Sequence, residues 1–217
     1  MSELPLEHEY VPSEADTGDP APAVVVLHGR GADEQDLLPV ADHLPDELAT
    51  LSLRAPDPLM GGYTWYELDM SAGGLHESQP EPEGFRRSLD LVGESIDAGI
   101  GEYGLDADRL GLLGFSQGGI MTFSLLLEAP ERYAWISAHH SYLAGSHADL
   151  EPDGLEGKPA FVGAGTADQM IPASRAEDAA SRLRELGCAV TFETYPVGHG
   201  IGQGELADLV EFVEANH

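Results

Sequence analysis

Continuous apolar runs alternate along the chain with stretches in which apolar residues recur at helical spacing. Ala23 to His28 (AVVVLH) is a β-branched run typical of a strand that is buried on both faces. Within Glu83 to Tyr103, residues Leu89, Val92 and Ile96 follow the period of a helix. The same criteria predict strands at Leu51–Arg54, Arg109–Phe115, Tyr133–Ala138, Pro159–Gly163 and Ala189–Tyr195, and helices at Asp33–His43, Gln117–Glu128, Ser174–Leu186 and Glu205–Ala215. This alternation predicts an α/β fold, a mainly parallel sheet with helices on both faces.

The segments between these elements complete the expected layout. Leu6 to Val11 is expected to add an antiparallel edge strand. From Pro58 to Pro82 the sequence is irregular and rich in Gly, Pro and Ser, and connections of that length usually cover or bind something. There is no internal repeat and no long linker, so residues 1–217 are predicted to form a single domain.

The charge balance is strongly acidic. The 39 Asp and Glu residues against 10 Lys and Arg give a formal net charge of −29, and Lys158 is the only lysine. So much like charge opposes compaction, except where molar salt shortens the Debye length to ~3 Å. This excess of acidic residues resembles that of proteins from extreme halophiles and predicts that the protein works in a salt-rich cytoplasm. The alternative is an ordinary acidic protein of a mesophile. Because no basic patch is present to neutralise phosphates, nucleic acid is not an expected partner.

The sequence contains no evident membrane or secretion signal. No apolar run approaches the ~20 residues that cross a bilayer, and Met1 to Tyr10 lacks the basic and apolar regions of a signal peptide. Cys188 is the single cysteine, which leaves no internal disulfide. We expect a cytoplasmic protein that acts on a small molecule and has no membrane span. A homodimer is compatible with the sequence and is left as an open alternative.

The strongest chemical motif surrounds Ser116. Gly114-Phe115-Ser116-Gln117-Gly118 matches G-x-S-x-G, with a strand predicted before it and a helix after it. Such a sharp turn strains the serine backbone and projects its hydroxyl above the sheet, while the helix N-terminus favours developing negative charge. The alternative is a glycine-rich turn without catalytic function. The context predicts a nucleophile.

A serine nucleophile needs a base and an acid behind it. His199 follows the last predicted strand, and Asp168 follows the strand at Pro159–Gly163, so their chain order is the one that this type of fold requires. Asp149 and Asp153 are alternative acids, although they lie in a polar loop and not at a strand end. The order predicts a Ser116, Asp168 and His199 triad.

The oxyanion of an ester hydrolysis intermediate requires two backbone donors. One is expected to be the amide of Gln117, directly after the nucleophile, and the other the amide of Arg30, in the loop after the first buried strand. Gly29 and Gly31 permit the tight path of that loop. His28 is expected to serve the loop structurally and not as a second base.

These motifs together carry a family resemblance. Leu27-His28-Gly29-x-Gly31, Trp65-Tyr66, Gly114 to Gly119, Gly165-Thr166-Ala167-Asp168-x-x-Ile171-Pro172 and Gly198-His199 resemble the phospholipase/carboxylesterase family, which includes acyl-protein thioesterases and small carboxylesterases. The resemblance implies an α/β-hydrolase without a large cap domain that cleaves esters or thioesters and needs no cofactor. It also implies that Trp65 and Tyr66 lie beside the active site, where they are expected to contact substrate.

Two departures from the family pattern limit the expected substrate. Arg30 replaces an apolar residue of the thioesterase branch and makes the acyl side of the rim cationic. His139-His140-Ser141 replaces a small Ser-Gly segment, and His140 is expected to line and narrow the pocket. Both changes weaken a specific assignment to protein depalmitoylation.

The leading hypothesis is a serine carboxylesterase that cleaves esters of small or medium acyl chains through an acyl-enzyme. A thioesterase or lysophospholipase is the alternative, and it would require a long apolar channel near Met60, Trp65, Leu68 and Met70. A non-catalytic binding module on the same scaffold is disfavoured because every triad member is present.

Two other chemistries fit the sequence less well. A metal site on His139 and His140 is not expected, because neighbouring residues of a strand point to opposite faces. Cys188 begins a strand without a neighbouring base and is not an expected nucleophile.

Overall fold

A seven-stranded sheet forms the centre of the computed structural model, which describes residues 4–15 and 20–217. Its strands are β1 (His8–Val11), β2 (Ala21–Leu27), β3 (Ala49–Leu53), β4 (Leu105–Phe115), β5 (Trp135–His139), β6 (Pro159–Gly165) and β7 (Ala189–Tyr195). They lie in the order β1-β3-β2-β4-β5-β6-β7. Only β1 among these strands runs antiparallel to its neighbour, with Tyr10 opposite Leu51. The predicted fold class and the antiparallel edge strand are therefore confirmed.

The helices pack on the two faces of this sheet. They are α1 (Leu38–Ala41), α2 (Pro82–Tyr103), α3 (Gln117–Glu128), α4 (Ala173–Glu185) and α5 (Gln203–Asn216), with short 3₁₀ turns at Leu75–Glu77, Pro130–Arg132 and Gly145–His147. Strand β2 divides its side chains between the faces. Val25 packs into the core beneath α2 and α3, whereas Val24 and Val26 pack into the core beneath α5. The buried strand was predicted from this same apolar run.

The predicted helix at Asp33–His43 is wrong in most of its length. Only α1 is α-helical, and the residues before it form turns. Pro39 is the physical reason, since it has no N–H to donate and its ring obstructs the preceding helical turn. The Leu38 N–H instead bonds the Gln35 carbonyl oxygen at 3.3 Å, a tighter turn than an α-helix makes.

The long segment between β3 and α2 is ordered by two short antiparallel pairs. Asp57–Leu59 pairs with Gly62–Thr64, and Leu68–Asp69 pairs with Gln79–Pro80. The second pair closes an excursion of the chain that we call the cover hairpin, residues 68–80. The chain leaves the cover hairpin at Glu81, whose side chain caps the N-terminus of α2 and so fixes the end of this segment. Within the described residues, no helix has the length and apolar character needed to cross a bilayer.

Candidate active site

The sharp turn between β4 and α3 positions Ser116. Its backbone has φ 55° and ψ −116°, a conformation that costs free energy in a residue other than glycine and is found mostly at functional sites. Gly114 and Gly118 make the turn feasible. A Cβ on Gly114 would lie 2.3 Å from the Gly118 carbonyl oxygen, and a Cβ on Gly118 would lie 1.9 Å from the Leu27 carbonyl oxygen.

Ser116, His199 and Asp168 form a continuous hydrogen-bonded chain. The Ser116 hydroxyl donates to His199 Nε2 at 2.9 Å, and His199 Nδ1 donates to Asp168 Oδ2 at 2.7 Å. The alternative acids Asp149 and Asp153 are both exposed in the polar loop. The three residues singled out from the sequence are thus brought together from three separate strand ends.

The Asp168 carboxylate is held by more than the His199 imidazole. Its Oδ1 accepts hydrogen bonds from the backbone amides of Met170 at 2.8 Å and Ile171 at 3.0 Å. Burial by itself raises the pKa of Asp168, but these bonds and those from the imidazoles of His199 and His140 outweigh it, so the pKa lies below its ordinary value. Asp168 is therefore an anion that accepts four hydrogen bonds, two from backbone amides and two from imidazoles.

The two expected oxyanion donors lie at the same cavity. Arg30 and Gln117 both line it together with Ser116. Within the described part of the chain, neither of their backbone N–H groups donates to a protein acceptor. Gly31 closes the loop beside Arg30 with φ 85°, and its N–H bonds the Tyr63 carbonyl oxygen at 2.7 Å. Free donors on a fixed loop and at a helix N-terminus suit a developing oxyanion.

The expected substrate contacts of Trp65 and Tyr66 are not found. Both side chains are fully buried and lie outside the cavity lining. The Trp65 indole instead donates to the His28 carbonyl oxygen at 2.8 Å. The His28 ring accepts from the Ala55 amide at 3.0 Å and bonds the Gly29 carbonyl oxygen at 2.7 Å. Burial lowers the pKa of His28, which favours the neutral ring that these contacts require. Trp65 and His28 therefore brace the loop that carries Arg30.

His140 also differs from its expected place. It is buried, lies outside the cavity lining, and bonds two carboxylates, Asp168 Oδ2 from Nδ1 at 2.9 Å and Glu205 Oε2 from Nε2 at 3.1 Å. Its φ of 49° turns the chain after β5. His139 Nδ1 meets the other oxygen of Glu205 at 2.7 Å. The expectation that the two histidines point to opposite faces is therefore wrong, because His140 has left strand geometry.

Glu205 is the residue of this region that the sequence reasoning missed. Its side chain lies on α5 and is fully buried against both histidines. Burial by itself raises its pKa, but the hydrogen bonds from His139 and His140 dominate and lower the pKa to about 2. The only local signal is its place near the start of α5, which the many acidic residues of this chain obscure.

The cavity beside Ser116 is small and mostly apolar, with a volume of about 60 Å³. Its lining comprises Arg30, Leu68, Leu75, Ser78, Ser116, Gln117, Ile120, Tyr142, Met170, Ile171 and His199. Part of that wall belongs to the cover hairpin, which Arg175 holds in place. Its guanidinium donates to the carbonyl oxygens of Ser78 at 3.0 Å and His76 at 3.3 Å, and lies 3.2 Å from the centre of the Tyr142 ring.

The side chains that could be considered as metal ligands are already paired with one another. One ligand atom each of His140, Asp168 and His199 lies within 4.8 Å of the others. Both imidazoles, however, direct Nδ1 at the same oxygen of Asp168, which is hydrogen-bonding and not chelating geometry. Cys188 is buried, and burial raises the pKa of its thiol to about 11, so it is a poor nucleophile.

The chain is similar to several known proteins. A family model described as phospholipase/carboxylesterase matches residues 8–217. Acyl-protein thioesterase 1 of Neurospora crassa is 33% identical over 186 residues, which cover 82% of this chain and 71% of that protein.

Solved structures show the same architecture. A carboxylesterase of Bacillus cereus superposes with a TM-score of 0.84 at 24% identity, over 97% of this chain and 94% of that one. The esterase PE8 superposes with a TM-score of 0.83 at 25% identity, over 98% of this chain and 99% of that one.

Proposed function

The chain belongs to the phospholipase/carboxylesterase family of α/β-hydrolases, and we propose that it is a serine carboxylesterase with Ser116, His199 and Asp168 as its triad. The hydrogen-bonded path from the Ser116 hydroxyl through His199 to Asp168 carries the proposal. That path ends at the cavity which the proposed oxyanion donors also line.

The reaction begins when the Ser116 oxygen attacks the ester carbonyl carbon and passes its proton to His199 Nε2. The negative carbonyl oxygen is held by the amides of Arg30 and Gln117, and Asp168 stabilises the imidazolium. The C–O bond to the alcohol then breaks as His199 returns the proton to the leaving oxygen. Water repeats the sequence on the acyl-enzyme, releasing the carboxylic acid and restoring the Ser116 hydroxyl.

The cavity favours short acyl chains. Its volume of about 60 Å³ is far below the ~300–1,000 Å³ of a pocket that encloses a drug-sized ligand. The channel that a long-chain thioesterase or lysophospholipase would require is not supported. Of the four residues expected to line it, Leu68 faces the cavity, Trp65 is fully buried, and Met60 and Met70 are exposed.

The charge of the rim gives no strong preference for an anionic substrate. The Arg30 guanidinium lies 3.5 Å from the Glu67 carboxylate, and both side chains are partly solvated. Exposed pairs of this kind contribute little energy, but their opposite charges offset each other at the rim. We therefore propose neutral esters as the substrate class.

Replacement of Ser116 by alanine tests the proposal. Hydrolysis of p-nitrophenyl acetate and butyrate should fall by a factor on the order of 10⁴ or more. Ser181→Ala, an exposed serine of α4, is the matched control and should keep wild-type rates. Circular dichroism should show both variants folded. Wild-type activity in folded Ser116→Ala would overturn the assignment.

A series of acyl chains tests the substrate class. We expect kcat/KM for p-nitrophenyl esters to be highest for acetate or butyrate and to fall steeply at octanoate and palmitate, because the cavity has no room for the longer chains. The matching acyl thioesters, run alongside, should show the same dependence on length. A maximum at palmitate would instead favour the thioesterase or lysophospholipase alternative.

A further inference from the structure

The His140 imidazole lies between two buried carboxylates behind the triad. Nδ1 is 2.9 Å from Asp168 Oδ2, and Nε2 is 3.1 Å from Glu205 Oε2. The side chains of all three residues are fully buried. Asp168 Oδ2 also accepts the hydrogen bond from His199 Nδ1, so two imidazoles share one oxygen.

This geometry assigns a charge to His140. A neutral imidazole carries a proton on only one nitrogen and would direct a lone pair at one of the two carboxylates. Asp168 already accepts from backbone amides as an anion, and Glu205 accepts from His139. Both nitrogens of His140 must therefore donate, which makes it an imidazolium.

The surroundings fix this ion in place. The charged and titratable groups that face His140 are Asp168, Glu205 and His199, whose ring centre is 5.6 Å away; the Phe115 ring closes another side at 5.6 Å. The opposite charges on two sides raise the pKa of His140 against the effect of burial.

Glu205 is itself held on three sides. His139 donates to its Oε1, and the ring of His139 accepts from the Ser137 hydroxyl at 2.8 Å. Gly163 makes the room for the carboxylate, since a Cβ there would lie 2.2 Å from Glu205 Oε1. The anion that pairs with His140 therefore cannot turn away without disturbing β5 or β6.

We propose that His140 is a positioning residue whose permanent positive charge, held by Glu205, aligns the Asp168 carboxylate that orients His199. The proposal rests on the proposed triad. The second N–H on Oδ2 fixes the plane of the Asp168 carboxylate.

The split between kcat and KM separates this role from a purely structural one. In folded His140→Gln we expect kcat to fall about tenfold with KM nearly unchanged, because the Asp168 carboxylate loses a fixed donor while the cavity lining stays the same. His147→Gln is the matched control. His147 is also a buried histidine on a carboxylate, 2.9 Å from Glu128, but it lies outside the cavity beside Ser116. Its kcat and KM should equal those of the wild type. Folded His140→Gln with the kcat of the wild type would overturn the proposal.

The charge of His140 can be measured directly in the wild-type protein. Long-range ¹H–¹⁵N spectra should show both ring nitrogens of His140 protonated at neutral pH, where an ordinary histidine is largely neutral. Glu205→Gln should lower the pH at which His140 loses a proton. These readouts do not depend on His140→Gln being folded, and a neutral His140 at pH 7 would overturn the proposal.

The two proposals fail in distinguishable ways. If Ser116→Ala stays active, the triad assignment falls, yet the charge of His140 remains measurable in the spectra. If His140 is neutral while Ser116→Ala is inactive, the esterase assignment holds and the role of His140 is wrong.

Discussion

The Gln117 carboxamide nitrogen donates a 2.9 Å hydrogen bond to the Tyr66 carbonyl oxygen. Its oxygen accepts from the Thr64 hydroxyl at 3.0 Å and from the Trp65 amide at 3.2 Å. Gln117 therefore binds the segment through which Trp65 bonds the loop that carries Arg30. Its backbone amide is one of the two proposed oxyanion donors, while its side chain links α3 to the segment that braces the other one.

Gln117→Ala should lower kcat by about 10- to 100-fold with little change in KM, because the braced loop loses its anchor while the backbone amide remains. Unfolding by urea should show a loss of about 2 kcal/mol, since buried groups on Trp65 and Tyr66 lose a partner. Gln35→Ala, at an exposed glutamine, is the control for both measurements. An unchanged kcat together with lower stability would contradict the coupling to catalysis.

Arg175→Gln should loosen the cover hairpin, because the guanidinium that bonds Ser78 and His76 is lost. We expect KM for p-nitrophenyl butyrate to rise roughly three- to tenfold, with a smaller change in kcat. Arg184→Gln changes an exposed arginine of the same helix, α4, and serves as the comparison. Equal KM values for the two variants would show that the hairpin does not shape the acyl site.

Gly163→Ala should destabilise the protein by about 1–3 kcal/mol, because the new methyl group collides with Glu205. Gly101→Ala is the reference substitution. It lies in α2, nothing approaches a Cβ there within 4 Å, and alanine should stabilise a helix interior by up to ~1 kcal/mol. Urea unfolding measures both, and equal stability of the two variants would contradict the close packing at Gly163.

Glu205 gives stability a specific dependence on pH. Its pKa falls from 4.5 to about 2 in the folded chain, so the ionised form adds stability above pH 4.5 that is lost as the pH falls through about 2. Glu205→Gln lacks this component. The difference in free energy of unfolding between wild type and variant should shrink by about 3 kcal/mol across that window.

The measurement is urea unfolding at a series of acidic pH values in molar salt. Glu214→Gln, at an exposed position of the same helix, should keep the slope of the wild type. A constant difference between wild type and Glu205→Gln across the window would argue against an ionised Glu205.

The acidic balance predicts a strong dependence of stability on salt. At a net charge of −29, raising NaCl from about 0.1 M to more than about 1 M should raise Tm by several degrees, because screening removes self-repulsion. The same scan near pH 4.3, the calculated isoelectric point, is the control and should show a much smaller rise. A flat response at neutral pH would favour the alternative of an ordinary acidic protein.

Local patterns were sufficient for most of the fold. Helix α3 and strand β7 have the predicted bounds. The apolar run of α3 is buried on all sides, and β7 alternates exposed with partly buried positions, so each pattern stops where its element ends. The helix predicted at Asp33–His43 was wrong because Pro39 has no N–H for a helical hydrogen bond, although the apolar pattern around it resembles that of a helix. The order of the strand ends along the chain also predicted Ser116, Asp168 and His199 as partners, and these residues lie in hydrogen-bond contact.

The surroundings of the site depend on contacts that local patterns do not contain. Glu205 and His140 are separated by 65 residues and meet only because α5 returns across β6. The positive φ of His140 reverses the face that strand geometry assigns to its ring. Trp65 and Tyr66 were expected at the substrate, yet the Trp65 indole bonds the His28 carbonyl oxygen and the Tyr66 ring packs against Phe85 of α2.

The cover hairpin is one uninterrupted segment between two anchors, the Tyr66 carbonyl bonded by Gln117 and the Glu81 cap of α2. It supplies Leu68, Leu75 and Ser78 to the cavity wall, while the triad and the oxyanion loop lie on other segments. Under the proposed function, the part of acyl selectivity that these three residues determine is thereby separable from bond cleavage. A cassette exchanged between these anchors could retarget the enzyme, and insertions or deletions accumulated there during divergence would alter substrate range before they altered chemistry.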